Sequence, residues 1–395
     1  MKTKIAIIIE RADVALGGAE RSVFELTEAI SETGLDAHIL AARGRSQSEN
    51  VHILCPGFSG GRTGYGTFES AIKRHLAENN YDIIHSVLPY DFADIYQPRG
   101  GTYAEAILQN AASYCNVFLE FWKRATGFAN FRRAELFRAE RKLCGMADGP
   151  VIIAISKYVA EQFGRHYGIE AGRIVVIPNG VKPTDVADKM QAERIVQQAF
   201  AQLKINGGDR PAIFLFAANN FRLKGLGCLL KAMRLVSQRD SSRPVFLVVA
   251  GGDRTAAYER MAVKLGVDRN ILFLGKLEHI ADALAAADVA ILPTFYDPCS
   301  RFILEALAAG KPVITTKFNG AIDLFVGNRH GKVIDDPRDI TALSEAIGYF
   351  ANRDNLHRAA NAIISDDLRQ NVSIARVAQQ LKTVYGNILA ERGRR

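Results

Sequence analysis

The feature that most constrains this chain is a recurring alternation. Short uninterrupted apolar runs end in polar turns and are followed by stretches with helical spacing. In the first half the runs are Lys4–Ile9, Ala37–Ala41, His52–Leu54, Asp82–His85, Val151–Ile155 and Arg173–Ile177. In the second half they are Ala212–Ala217, Val245–Ala250, Ile271–Leu274, Val289–Pro293 and Val313–Thr316. Runs this apolar suit strands covered on both faces, and their alternation with helices such as Ala19–Thr33, where Val23, Leu26 and Ile30 share a face, predicts parallel sheets. Turn chemistry at Pro178-Asn179-Gly180-Val181 interrupts the rhythm, which restarts after a mostly polar helix at Asp188–Leu203. The expectation is α/β, with two Rossmann-like doubly wound domains at 1–180 and 181–372. A helix in 373–395 is expected to cross back to the first domain.

Composition narrows the function classes. Hydrophobic residues make up 48% of the chain, which supports large cores and argues against disorder. No apolar run reaches the roughly 18 residues that span a membrane, and the five-residue apolar stretch near the N-terminus, cut by Glu10, reads as a first buried strand. Five scattered cysteines without C-x-x-C spacing predict neither a disulfide framework nor a zinc site, and suit a reducing cytoplasm. The net charge of +8 calls for polyanionic company: a phosphorylated ligand, an anionic membrane face or nucleic acid. No helix-turn-helix, zinc-finger or RNA-recognition signature supports the last, so no nucleic-acid partner is expected.

The segment Thr294–Gly310, TFYDPCSRFILEALAAG, concentrates polar chemistry at a strand-to-helix turn. Asp297 and Glu305 lie eight positions apart, the first before the helix and the second about one turn inside it. Ser300 is placed as the N-cap, Gly310 as the residue that ends the helix, and the N–H groups around Arg301, Phe302 and Ile303 face outward at its start. A helix N-terminus flanked by two carboxylates suits a ligand bearing both phosphates and hydroxyls, as a nucleotide sugar does. From chemistry alone a capped crossover with solvated acids is an equal reading.

Other loops lie at the same sheet edge. Gly17 and Gly18 sit at the first strand-to-helix turn, where glycine allows close backbone approach, although the pattern is not GxGxxG. Asn219, Arg222 and Lys224 follow the first strand of the second domain, within reach of a phosphate. Lys276 and Leu277 follow a later one. His85, Asp94 and Arg99, in the irregular stretch His85–Thr102, are the acceptor-side candidates. Each of these residues is also explicable as packing or a solvated loop. The run Phe118–Lys142 carries seven basic residues against three acidic ones, interleaved with six aromatics. It reads either as a membrane-surface helix or as a core helix with solvated arginines.

Together, Gly17-Gly18-Ala19-Glu20-Arg21, Ser156 with Ile177–Val181 (IPNGV), Phe221-Arg222-Leu223-Lys224-Gly225 and the acid pair ending in Leu304-Glu305-Ala306 resemble retaining family-4 glycosyltransferases of the GT-B form. The resemblance implies two domains facing a cleft and a metal-independent hexosyltransferase with no cofactor beyond its nucleotide-sugar donor. It implies that Glu305 binds ribose, that Lys224 with Arg222 holds the diphosphate, and that Asp297 faces the donor sugar. Gly17 and Gly18 would approach the diphosphate, and Lys276 and Leu277 the base. Two departures stand out: Asp297 is one methylene shorter than the usual Glu, and Asn219 lies where many relatives carry Arg. Asp94-Ile95-Tyr96 and Tyr103-Ala104-Glu105 look most like the glucosyltransferases of the lipopolysaccharide inner core. That likeness implies a UDP-glucose donor, a glycolipid or glycan acceptor and a peripheral place on the cytoplasmic face of the plasma membrane. Transfer to another lipid or soluble glycan, and a non-catalytic nucleotide-sugar binder, are the competing readings.

Overall fold

The computed structural model describes residues 2–13, 18–44, 48–56, 63–114, 116–127, 130–182, 187–205, 210–239 and 243–394. The chain divides into two compact units. One is Met1–Ala111, Cys115–Lys182 and Ile374–Arg395; the other is Ala112–Tyr114 with Pro183–Ser373.

The first unit is built on seven strands: β1 (Lys4–Ala12), β2 (Asp36–Gly44), β3 (Val51–Ile53), β4 (Ile83–Ser86), β5 (Ile95–Tyr96), β6 (Val151–Ala154) and β7 (Ile174–Val176). They form one parallel sheet in the order β3-β2-β1-β4-β5-β6-β7. The second unit holds β8 (Ala212–Ala217), β9 (Val245–Ala250), β10 (Ile271–Gly275), β11 (Val289–Leu292), β12 (Val313–Thr316) and β13 (Gly331–Ile334), parallel in the order β10-β9-β8-β11-β12-β13. In each sheet the chain winds outward one way and then restarts on the other side of its first strand. The order therefore reverses between β1 and β4, and between β8 and β11. Loops diverge at those points and leave a crevice at the carboxyl edge, where open α/β sheets bind ligands.

Burial explains the apolar runs. Ile5, Ile7 and Ile8 are buried on opposite faces of β1, and all of Ala212–Phe216 is buried. The helix Ile374–Arg392 belongs to the first unit. Its Val377, Leu381 and Tyr385 sit in one cluster with Ile7, Val23 and Ile30. Each such fully buried apolar side chain contributes roughly 1.5–3 kcal/mol. Arg376 of this helix donates to the carbonyl of Pro178 at 2.8 Å, which fixes the turn of the IPNGV segment.

Three departures from the sequence expectation have local causes. The run Phe118–Lys142 forms two helices, Val117–Ala125 and Phe131–Cys144, because the side chains of Asn116 and Asn130 each cap a new start. β5 has two residues, too short to register as a run, and β13 reads GKVI, with Lys332 interrupting the apolar pattern. The helices Ala256–Leu265 and Arg353–Ser365 are surface elements with few buried residues, so their apolar signal is weak. Among the described residues no helix is long and apolar enough to cross a membrane.

Candidate active site

The second sheet's crevice is assembled from the loops after β8, β11 and β12. Gly225 makes the first possible: its φ is +81°, and a Cβ there would lie 2.0 Å from the carbonyl oxygen of Pro293. The backbone N–H of Phe295 donates to the carbonyl of Leu223 at 2.9 Å, tying the β8 and β11 loops together. Lys224 is thereby directed at the β11 loop. Its Nζ lies 2.7 Å from Asp297 Oδ2 and donates to the carbonyl of Tyr296 at 2.7 Å. Both side chains are mostly shielded, with 19% and 14% of their surface exposed.

Ser300 caps the helix Arg301–Ala308 by accepting from the Ile303 N–H. Phe302 and Ile303 are buried and apolar, and the Ile303 N–H is taken by the cap, so neither side chain offers a ligand a polar contact. Glu305 is 7% exposed and accepts from Arg301 Nε at 2.7 Å, one turn earlier. Asn319, not singled out from the sequence, is fully buried. Its Oδ1 accepts from the N–H groups of Ser300 and Ala321, both at 3.1 Å, and the N–H of Asp297 donates to Phe318 O at 2.9 Å. The β12 loop thus sets the position of the acid and the cap. The only trace of this in the sequence is an Asn-Gly pair after a strand.

The other donor-side candidates are more dispersed. Arg222 rests on Tyr114, 3.8 Å above its ring, and donates to Ser113 Oγ; both partners belong to the second unit. Asn219 is exposed on the β8 loop. Lys276 and Leu277 line an open groove of about 700 Å³ beside the helices Lys189–Leu203 and Ile280–Ala286. Lys224, Asp297 and Glu305 are not in its walls. Gly18 opens the helix Gly18–Glu32 and is exposed, whereas Gly17 lies outside the described residues.

The structure separates the three acceptor-side candidates and corrects two of them. His85 is fully buried, with Nδ1 2.7 Å from the hydroxyl of Tyr385, and burial followed by the charge of Arg99 pushes its pKa down to about 3. It is therefore a neutral core residue with no surface for a substrate. Asp94 lies level with Ile84, whose N–H it accepts at 2.7 Å, and it pairs with Arg392 of the last helix. The loop after β4 has by then returned toward the amino edge to begin β5, so Asp94 anchors that return. Arg99 alone stays at the carboxyl edge, donating to Ser22 Oγ and, at 3.2 Å, to Asn179 Oδ1 of the IPNGV segment.

The two halves of the exposed-or-core question about Phe118–Lys142 also separate. In the helix Val117–Ala125, Phe118, Phe121 and Trp122 are 87%, 73% and 62% exposed. In the helix Phe131–Cys144, Leu136, Glu140 and Leu143 are buried, while Phe131 at its start is exposed. Glu140 accepts from the hydroxyls of Tyr96 and Tyr167 and the N–H of Tyr103, and burial lifts its pKa to about 7. Arg132 is paired with Glu10 at 2.7 Å.

Two doubly wound parallel-sheet units, each with a crevice at its switch point, have the architecture of GT-B glycosyltransferases. Residues 16–185 match Glycosyltransferase Family 4 and residues 197–364 match Glycosyl transferases group 1, and the chain belongs to this group. It is 27% identical over 279 residues to the lipopolysaccharide glucosyltransferase WaaG of Escherichia coli K12, covering 70% of each chain. The crystal structure of WaaG superposes with a TM-score of 0.71 at 20% identity, over 96% of this chain and 99% of that one. Anabaena Alr3699/HepE, solved with UDP-glucose, shares the fold with a TM-score of 0.67 at 16% identity, over 97% and 99%.

Proposed function

We propose that this glycosyltransferase moves a hexose, glucose from UDP-glucose, to a membrane-linked saccharide acceptor, with retention of configuration and without a metal. The observation that carries the donor half is the convergence of Lys224 and Asp297, 2.7 Å apart, from different loops at the switch point of the second sheet. Glu305 accepts from the ribose hydroxyls, a charge-assisted interaction typically worth ~1.5–3 kcal/mol. Lys224, with Arg222 beside it in the loop, meets the diphosphate and offsets its charge as the bond from the anomeric carbon to the phosphate oxygen breaks. The N–H groups at the start of the helix Arg301–Ala308 add a fixed positive field. Asp297 faces the sugar. The acceptor oxygen attacks from the face the phosphate leaves, and the departing phosphate takes its proton, so no side chain serves as a dedicated base.

The membrane half of the reading rests on the exposed aromatics of the helix Val117–Ala125 together with Lys123 and Arg124 in its last turn. Aromatic side chains at the headgroup level and basic residues near an anionic leaflet, each worth on the order of 1 kcal/mol, hold a protein peripherally. The protein then works on the inner face of the plasma membrane. WaaG, by name a lipopolysaccharide glucosyltransferase, supports a lipid-linked saccharide as the acceptor, which we take to be of the inner core.

The test is transfer of labelled glucose to glycolipid extracts. Glu305→Gln and Lys224→Ala each lower turnover at least tenfold, about 1.4 kcal/mol. Full activity in both variants removes the assignment. Donor binding with neither transfer nor hydrolysis identifies a non-catalytic nucleotide-sugar binder instead.

A further inference from the structure

In the first unit a second cavity, of about 700 Å³, lies between the stretch that follows β5 and the start of the helix Phe131–Cys144. Arg99, Thr102, Tyr103, Asn130, Arg132 and Arg133 line it, and none of its described lining residues is a carboxylate. Its size lies within the range of small-ligand sites, roughly 300–1,000 Å³. The guanidiniums are held in place. Arg99 donates to Ser22, Asn179 and Gln97, and Arg132 to Glu10 and, at 2.5 Å, to the carbonyl of Thr63. Arg133 is exposed at the rim. Arginine supplies five donors and no acceptor. A pocket for a neutral sugar needs acceptors as well as donors, because every hydroxyl has a proton to give. This wall is instead rich in guanidiniums, and the planar fork of a guanidinium suits the two oxygens of a carboxylate or phosphate.

We infer that this cavity receives an acidic group of the acceptor, a phosphomonoester or a carboxylate carried by a sugar, so that the preferred acceptor is an anionic saccharide. The inference rests on the proposed function, in which the first unit holds the acceptor. It adds a substrate class to that reading.

Calorimetric titration of the full chain with glucose 6-phosphate, glucuronate and glucose, with UDP present to occupy the donor site, tests it. The two acidic sugars are expected to bind at least tenfold more tightly than glucose. Arg133→Glu, at an exposed position, abolishes the difference and leaves UDP binding within twofold. Glu305→Gln weakens UDP binding and leaves glucose 6-phosphate binding unchanged, so loss of the donor assignment and loss of this pocket are read separately. Equal binding of all three sugars, or acidic-sugar binding indifferent to Arg133→Glu, overturns the inference. Flotation with phosphatidylglycerol vesicles separates the sources of an acidic group. If Arg133→Glu loses vesicles but binds glucose 6-phosphate as the wild type does, the arginines serve lipid headgroups and the saccharide subsite falls.

Discussion

The ammonium of Lys224 lies 2.7 Å from the carboxylate of Asp297, so each of the two groups assigned to the donor's leaving end is the other's partner in the resting protein. Under the proposed function, a diphosphate entering the crevice would replace that carboxylate at Lys224 and free Asp297 to face the sugar. Asp297→Asn removes the competitor. UDP is expected to bind several-fold more tightly to that variant by calorimetry, while transfer falls at least tenfold because the sugar-facing charge is gone. Unchanged UDP affinity with unchanged transfer would mean the pair is only structural.

Gly225 holds the β8 loop against the β11 loop at a φ of +81°, with Pro293 O where a side chain would begin. Gly225→Ala combines left-handed strain with a backbone clash and is expected to cost roughly 2–4 kcal/mol. Chemical denaturation reads this as a lower midpoint, and UDP binding weakens with it. A neighbouring Gly227→Ala, with open space around its Cβ, should be near neutral.

The hydroxyl of Tyr385 reaches Nδ1 of His85 across 300 residues of sequence, inside the first unit. Tyr385→Phe leaves a buried polar atom without that partner and is expected to destabilise by about 1–3 kcal/mol at neutral pH. Because the folded pKa of His85 is pushed down to about 3 from 6.5, the unfolded chain binds the extra proton first. The stability this neutral histidine contributes is complete above pH 6.5 and is lost as the pH falls toward 3. His85→Gln, which does not titrate, should therefore show a flatter fall in melting temperature over that window. Parallel curves would refute the buried neutral state.

Phe118 and Trp122 project from one helix with 87% and 62% of their surface exposed. Phe118→Ser with Trp122→Ser should reduce flotation with anionic vesicles at least fivefold and leave the melting temperature and UDP binding intact. A vesicle-binding fraction equal to wild type would place membrane attachment elsewhere. Charge reversal at Arg132 is a poor probe of the same idea, since it also breaks the pair with Glu10.

The sequence by itself determined the two-sheet plan and most strand positions, because runs such as Ala212–Ala217 and Val289–Leu292 are apolar at every position and only a doubly covered parallel sheet buries them. It also determined the Ser300 cap and the helix end at Gly310, since these are local consequences of backbone chemistry. The tertiary structure alone decided which polar residues meet. His85, Asp94 and Arg99 are close in sequence, yet one is sealed in the core, one anchors the amino side of β5, and one lines a pocket with Arg132 and Arg133. Asn319 and Tyr385 gained their roles only from loops and a helix that return from far along the chain. Strand and cap formation are short-range, whereas the convergence of side chains at a sheet edge depends on crossovers whose ends carry no local signal.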